Sequence, residues 1–258
     1  MKTDFSPSSL RGRHTTRAGL AALMLVLLQG CATGPNANPK DPLEPFNRGV
    51  TKFNDAVDKA VIKPVAEGYV YVTPDIVRKG VGNFFNNLSD AWSFVNNVLQ
   101  LKGEAAGDSL ARVITNTMLG LGGLIDFATP LNIERHREDF GQTLGYWGVP
   151  SGPYLVLPIL GPSTLRDTAA LPADIGYGSA VSYINNDAVR YGLTGLRLID
   201  TRASLLRAGN LLEEAALDKY SFQRDVYLQA RRSLVFDGNE PPEEDHTTPP
   251  AAAPSTKP

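Results

Sequence analysis

Apolar residues recur along most of the chain at the spacing of an α-helix. The first stripe has members three or four positions apart, which places them on one helix face. It consists of Phe46, Val50, Phe53, Val57 and Val61. The following Lys63-Pro64 predicts the end of this helix, since a residue before proline avoids helical conformation.

Similar stripes predict further helices downstream. Thr73-Pro74 is typical of an N-cap with proline at the first helical position, and Asp108 is a second candidate cap. Two late helices are expected over 188–206 and 212–234. The stripes themselves contain Val77, Val81 and Phe84, then Leu88, Trp92, Val95 and Leu99, then Leu110, Val113, Ile114, Thr117 and Met118. Tyr69–Val72 and Tyr154–Leu157 could be strand-like, but the pattern as a whole favours an all-α domain.

The middle of the chain breaks this pattern. No charged residue occurs from Phe140 to Leu165, although the segment holds five glycines and four prolines. So many breakers exclude a continuous spanning helix. One interpretation is an apolar loop tucked into the core, which composition alone favours. The other is irregular backbone at membrane depth, which is tolerated only where it packs on protein or lines a cavity.

The N-terminus has the parts of a secretory signal. Three arginines precede the apolar run Ala18–Leu28, which is too short to cross a bilayer core of about 20 residues. Leu28-Gln29-Gly30-Cys31 resembles a lipobox, in which a lipoprotein signal peptidase cuts before a cysteine that becomes lipidated. Cys31 is the only cysteine in the chain, so lipidation also explains an otherwise free thiol in an exported protein.

These signals divide the chain into four parts. Residues 1–30 are the predicted signal peptide, and 31–40 form a lipidated tether. The folded domain is predicted over 41–237. Residues 238–258 are rich in proline and acidic residues and lack the apolar surface needed for a core, so they are predicted to be a disordered tail.

Candidate catalytic chemistry is sparse. Ser151 lies in Val149-Pro150-Ser151-Gly152, which lacks the first glycine of a nucleophile elbow. His136 is the one plausible imidazole base, and a surface position in its charge run, 134–139, is the simpler interpretation. No metal-ligand cluster is visible, and Gly120–Gly123 has no phosphate-loop lysine, so it is interpreted as a helix terminus and turn. With a net charge of −2 there is no basic footprint for nucleic acid. We therefore expect neither an enzyme nor a cofactor.

An ordered set of short motifs resembles the MlaA family, also called VacJ. The set spans most of residues 41–237, and its strongest part lies in the uncharged middle segment. Its members are Asp41-Pro42-Leu43-Glu44-Pro45-Phe46-Asn47-Arg48, Phe53-Asn54, Asn116-Thr117, Gly122-Gly123-Leu124-Ile125-Asp126, Phe140-Gly141-Gln142-Thr143-Leu144-Gly145, Gly152-Pro153-Tyr154, Leu157-Pro158, Gly161-Pro162-Ser163 and Arg166-Asp167.

The resemblance implies a ring-shaped helical lipoprotein, partly embedded in the inner leaflet of the outer membrane and facing the periplasm. Such proteins remove phospholipids that have strayed into the outer leaflet and pass them to a soluble MlaC-like carrier. They often associate with trimeric porins. Ala32, directly after the anchor, agrees with sorting to the outer membrane. The alternative is an envelope lipoprotein that scaffolds porins without any lipid path.

A lipid path needs polar groups for a headgroup and an apolar wall for the tails, because a buried headgroup without polar partners is costly. The stripe from Phe46 to Val61 has polar residues beside it, and Tyr154–Leu160 lies in the uncharged segment. The residues predicted to line the channel or its rim are Phe53, Asn54, Tyr154, Leu155, Val156, Leu157, Pro158, Ile159 and Leu160.

Overall fold

A computed structural model describes residue 38 and residues 41–209 and 217–241 of the protein. The predicted signal peptide, Cys31 and most of the tether and tail lie outside the described residues, as does the start of the helix predicted over 212–234. The helices are α1 Glu44–Val57, α2 Lys63–Val72, α3 Asp75–Leu99, α4 Gly103–Met118, α5 Phe140–Tyr146, α6 Leu165–Gly176, α7 Asp187–Ser204 and α8 Lys219–Val235.

The strands in the described part of the chain form one short antiparallel hairpin. Strand β1, Tyr154–Leu157, pairs with β2, Gly161–Thr164, with Tyr154 opposite Thr164 and Leu157 opposite Gly161. The hairpin interrupts an otherwise helical chain, so the prediction of an all-α domain with an irregular apolar segment is confirmed.

Several predicted helix boundaries are wrong. Pro64 does not end the first helix, because a π-helical turn, Asp58–Ile62, precedes it and the chain continues directly into α2. A π turn changes the local hydrogen-bond pattern and often accompanies a bend. Tyr69–Val72 is consequently helical. Helix α3 begins at Asp75 without a side-chain cap.

Asp108 does not cap α4 either. The chain turns at Leu101, which has a φ of 60°, and α4 therefore begins at Gly103 and includes Asp108. The Asp108 carboxylate instead contacts His136 Nε2 at 3.1 Å, and both side chains remain partly exposed. The interpretation of Gly120–Gly123 as a turn after a helix agrees with the end of α4 at Met118 and with positive φ at Gly122 and Gly123.

Helices α3 and α4 pack together through polar residues. Their buried positions recur every three or four residues, as in any helix face that is turned inward. On α3 they include Asn87, Asp90, Ser93 and Asn97, followed by Gln100 at its C-terminal end, and on α4 Ser109, Arg112 and Asn116. Much of the apolar surface of both helices faces outward, and Ile76 is 80% exposed and Met118 77% exposed. The helix pair thus has the reverse of the usual amphipathic arrangement.

An apolar exterior around a polar interior is the arrangement expected of a domain partly embedded in one leaflet. Large exposed apolar patches mark sites of membrane or protein contact. Other exposed apolar residues of the domain include Tyr71, Val72, Leu119, Leu121, Leu131 and Trp147. Within the residues that the structure describes, no helix is both long and apolar enough to cross a bilayer.

Arg112 is the centre of the buried polar network. Its Nε lies 3.2 Å from Asp90 Oδ2, its Nη1 donates to the Ile133 carbonyl at 2.7 Å, and its Nη2 donates to Asp126. Arg135 adds a second contact to Asp90, with its Nε 3.1 Å from Oδ1. Part of the charge run 134–139 is therefore an internal framework that joins α3, α4 and the connection to α5.

The Phe140–Gly145 motif is explained by a second ionic cluster. Arg231 of α8 donates to both Asp139, which caps α5, and Asp167 of α6. Burial alone would raise the pKa of Asp167, but the hydrogen bonds and charges of Arg231 and Arg166 together outweigh it, so the net pKa is lowered. Gly141 lies against this cluster: a Cβ there would be 2.5 Å from Arg231 Nη2 and 2.6 Å from Asp167 Oδ1.

Gly141→Ala is therefore expected to lower the free energy of unfolding by about 2–3 kcal/mol, because the methyl group must push a buried ion pair apart. Gly107→Ala in α4 is the matched control, since nothing lies within 4 Å of the added Cβ. That variant should be neutral or more stable, by up to about 1 kcal/mol. Urea unfolding in detergent, followed by circular dichroism, measures both; equal stability of the two variants would contradict the steric account.

The elements contact one another in a closed circuit. Helix α1 continues through the π turn into α2, which packs on α7, and α7 packs on α3. The circuit then continues through α5, α8, β2 and β1 back to α1. This order confirms the predicted ring-like domain and places the hairpin and α7 on different parts of the same ring.

Candidate functional site

A cleft of about 300 Å³ lies inside this circuit, between α1, the π turn, the hairpin, α7 and α8. Its lining residues come from segments that are far apart in sequence. They are Thr51, Asn54, Asp55, Val57, Asp58, Ile62, Val156, Ile159, Leu160, Gly161, Leu198, Thr201, Arg202, Leu205 and Gln223. The cleft thus combines an apolar wall with a row of polar and charged groups.

The apolar wall has two facing sides. Ile159 and Leu160 at the hairpin tip are 57% and 62% exposed, and Leu198 and Leu205 of the α7 side are 43% and 51% exposed. Large aliphatic side chains that remain accessible inside a cleft can contact acyl chains at about 25 cal/mol per Å² of apolar area buried. This surface therefore suits an apolar chain more than a polar solute.

The charged side of the cleft is internally paired. Arg202 binds Asp58 through two hydrogen bonds, of 2.7 and 2.8 Å, and Lys219 Nζ lies 2.9 Å from Asp55 Oδ1. The bond from Arg202 outweighs burial and lowers the pKa of Asp58, so this carboxylate is charged at neutral pH. These pairs present polar edges without leaving an isolated charge in the wall.

Two asparagines of α1 fix the hairpin to the ring. The Asn47 side chain donates to the Tyr154 carbonyl and accepts from the Val156 amide, at 3.0 and 2.8 Å. Two helical turns later, Asn54 donates to the Leu157 carbonyl at 2.9 Å and accepts from the Ile159 amide at 2.8 Å. The two amides satisfy backbone groups that a strand edge would otherwise leave unpaired.

The tip of the hairpin is conformationally strained. Ile159 has a φ of 66°, in the left-handed region, which is unfavourable for a β-branched residue. The hydrogen bond from its amide to Asn54 holds the residue there. The strain is thus located at the side chain that projects into the cleft, and Asn54 is the residue that maintains it.

A second, shallower apolar groove of about 390 Å³ lies beside the cleft. It is lined by Pro45, Phe46, Gly49, Val50, Phe53 and Pro158. Phe46 and Phe53 are both about half exposed, and the groove carries almost no polar surface. It therefore continues the apolar exterior of the ring as far as the hairpin tip.

The predicted channel residues fall into four groups. Asn54, Val156, Ile159 and Leu160 line the cleft, whereas Phe53 and Pro158 line the adjacent groove. Tyr154 is 1% exposed and packs on Tyr220 and Tyr227. Leu155 and Leu157 are half-buried on the strand. Cys31 lies outside the described residues.

Sequence reasoning missed the α7 side of the cleft. Leu198, Arg202 and Leu205 are spaced four and three residues apart, so their shared face could have been found from periodicity. The pairing of Arg202 with Asp58 joins residues that are 144 positions apart, and no local pattern signals such a contact. Ser151 is an exposed residue whose carbonyl accepts a backbone hydrogen bond from Arg166.

Comparisons with known proteins agree on one family. Residues 39–234 match the family model of the MlaA lipoprotein. The "Intermembrane phospholipid transport system lipoprotein MlaA" of Escherichia coli is 36% identical over 230 residues, covering 87% of this chain and 90% of that protein. Its Haemophilus influenzae counterpart is 34% identical, covering 84% and 90%, and an uncharacterized Rickettsia felis protein is 35% identical, covering 76% and 78%.

A solved structure supports the same conclusion. A chain from work on the structural basis for maintenance of bacterial outer membrane lipid asymmetry matches with a TM-score of 0.66 at 36% identity, covering 76% of this chain and 98% of that one. The chain belongs to the MlaA lipoprotein family.

Proposed function

We propose that this lipoprotein removes mislocalised phospholipids from the outer leaflet of the outer membrane and passes them to a periplasmic carrier. The observation that carries the proposal is the cleft inside the ring, which has aliphatic residues on two sides and paired charges along a third. It accommodates the two chemically different halves of a phospholipid. The names of the relatives, which place them in an intermembrane phospholipid transport system, also support the proposal.

The headgroup and tails make opposite demands on such a path. Moving a charged headgroup into an apolar medium without polar partners costs several kcal/mol or more, by order of magnitude. Asp55, Asp58 and Arg202 give the cleft a polar edge, whereas Leu160 and Leu198 keep the remainder apolar. A ring with such a lining lowers the free-energy barrier for a lipid whose headgroup leaves the leaflet before its tails.

The outer surface of the ring supplies the second requirement, contact with the leaflet. Ile76 of α3, Met118 of α4 and Leu121 in the turn after α4 are more than 70% exposed, and both helices have polar inward faces. Together with lipid on Cys31, this surface would hold the domain in the inner leaflet of the outer membrane. Each buried CH₂ of an anchor contributes about 0.8 kcal/mol, and several chains give stable attachment.

The proposed partners follow from the direction of transport. A carrier resembling MlaC would accept lipid on the periplasmic side, and a trimeric porin would contact the exposed apolar surface of the ring. A pure porin scaffold, the alternative function, has no need of an internal amphipathic cleft. The cleft therefore favours lipid transport over scaffolding.

The function is tested by deleting the gene and measuring phospholipid on the cell surface together with detergent sensitivity. Surface phospholipid and detergent sensitivity should both rise, and a plasmid copy of the gene should return both to the wild-type level. A normal surface lipid content in the deletion strain, with porin assembly impaired, would favour the scaffold instead.

Cys31→Ser tests the anchor. We expect signal-peptide processing to stop and the protein to leave the outer-membrane fraction, because the thioether that carries the lipid cannot form. Immunoblots of fractionated cells measure both size and location, with Ala32→Ser as the control. A Cys31→Ser protein of mature size in the outer membrane would contradict lipidation at this residue.

A further inference from the structure

Two arginines of the ring, Arg137 and Arg197, donate hydrogen bonds to neutral side chains of α3. Arg137, which precedes α5, donates from Nη2 to Asn86 Oδ1 at 3.1 Å. Arg197 of α7 donates from Nη2 to Ser89 Oγ at 3.3 Å. Both side chains are exposed to solvent, and each guanidinium carries five N–H donors, of which one is used in these contacts.

The two guanidinium groups converge on one turn of α3. Asn86 and Ser89 are three residues apart, so their side chains are neighbours on the helix surface, about 5–6 Å apart at Cβ. Arg137 reaches this turn from the α5 side and Arg197 from α7. Nearly every other arginine of the ring is bound to a carboxylate, as Arg112, Arg202 and Arg231 are.

The surroundings of Arg197 favour an anion. Its guanidinium lies 6.0 Å from the centre of the ring of the buried Phe85, whose face orients it. Asp200, the nearest acidic residue along α7, accepts a hydrogen bond from the Tyr69 hydroxyl and forms no ion pair with Arg197. The remaining donors of both arginines are therefore available to a ligand, and planar guanidinium groups match phosphate oxygens well.

We propose that Arg137 and Arg197 form a phosphate-binding site on the ring that selects phospholipids with a net negative charge. The inference rests on the proposed function and adds the class of headgroup. A phosphodiester would accept hydrogen bonds from both arginines. A zwitterionic lipid also carries an ammonium group, which the two guanidinium groups would repel. A net-anionic headgroup such as phosphatidylglycerol carries no ammonium group.

The test uses the purified, detergent-solubilised full chain with three probes: inorganic phosphate, dihexanoyl-phosphatidylglycerol and dihexanoyl-phosphatidylcholine. Calorimetry or ³¹P line broadening measures their dissociation constants for wild type, for Arg137→Gln/Arg197→Gln and for Arg190→Gln. Arg190 is the matched control, since it lies on α7 and is paired with Asp187. We expect the double variant to bind phosphatidylglycerol at least about tenfold more weakly, because charge-assisted hydrogen bonds are lost.

The probes separate the sources of the phosphate. Weakening confined to phosphatidylglycerol supports a lipid headgroup site, and equal weakening for inorganic phosphate supports a phosphate site that does not require the lipid. Unchanged phosphatidylglycerol binding in the double variant, or equal binding of the two lipids by wild type, overturns the inference. Surface phospholipid is also measured in cells carrying the wild-type gene and in cells carrying the double-variant gene. This separates failure of the arginine site from failure of the proposed function, since normal removal in both strains would reject the arginine site and leave the transport role intact.

Discussion

Leu160→Glu is expected to abolish most phospholipid removal while the protein stays in the outer membrane. Leu160 lines the cleft at the hairpin tip and is 62% exposed, so the change places a carboxylate in the path of the acyl chains without disturbing the core. A bare carboxylate in an apolar path costs free energy and also repels a phosphodiester. We expect removal to slow at least about tenfold, which corresponds to about 1.4 kcal/mol in the barrier. Surface-exposed phospholipid in complemented deletion cells is the measurement.

Leu198→Glu, on the facing side of the cleft, should have the same effect, although the two residues belong to different elements. Leu160→Met keeps the volume and apolar character and should retain function. Glutamate at Leu155 or Leu157 should act more weakly on transport than at Leu160, since those residues do not line the cleft. Normal surface lipid in both Leu160→Glu and Leu198→Glu cells would show that the cleft is not on the path.

Arg112→Met is expected to lower the free energy of unfolding by about 3–5 kcal/mol, the cost of leaving buried carboxylates without their cation. Arg112 is 1% exposed and contacts both Asp90 and Asp126. Arg190→Met is the control: it removes a solvent-exposed pair with Asp187, so stability should change little. Denaturant unfolding in detergent measures both variants. A loss below about 1 kcal/mol for Arg112→Met would mean that the polar interior does not hold α3 and α4 together.

The same cluster links stability to pH. Burial would raise the pKa of Asp126, but hydrogen bonds from Thr129 and the charge of Arg112 outweigh it and lower the pKa to about 2, from an ordinary 3.8. The folded state therefore binds the proton less tightly than the unfolded state does. The contribution of Asp126 to stability is complete above the ordinary pKa and declines as the pH falls through about 4 to 2.

Sequence periodicity predicted the helices well but could not predict which face is buried. Val77, Val95 and Leu99 belong to an apolar stripe of α3, yet they face outward, because the polar face of this helix is the one that packs on α4. In water such a stripe would turn inward, so the same pattern describes a core helix and a leaflet-facing helix equally well. The signal that could have separated them is the polar stripe from Asn87 to Gln100, whose spacing is just as regular.

The hairpin shows a second limit of prediction from the sequence. Composition identified residues 140–165 as exceptional, and both Asn54 and Tyr154–Leu160 were predicted to line the channel or its rim. The structure brings these segments together. The sequence could not show that the Asn54 amide binds the hairpin backbone, or that Tyr154 fills the core. Both depend on contacts across more than 60 residues, and one sequence carries no record of such pairings. The boundary error at Pro64 is different in kind, since a local π turn overrode a sound local rule.

The claim that lipid passes through the cleft is tested most directly by photo-cross-linking in growing cells. A benzophenone amino acid at Leu198 reports on the cleft, and the same residue at Met118 reports on the outer surface of the ring. Both should capture phospholipid in the wild-type background. With Leu160→Glu added, capture at Leu198 should fall at least about tenfold, while capture at Met118 stays unchanged. Capture of phospholipid at Met118 alone, or capture at Leu198 that Leu160→Glu does not alter, would contradict a lipid path through the ring.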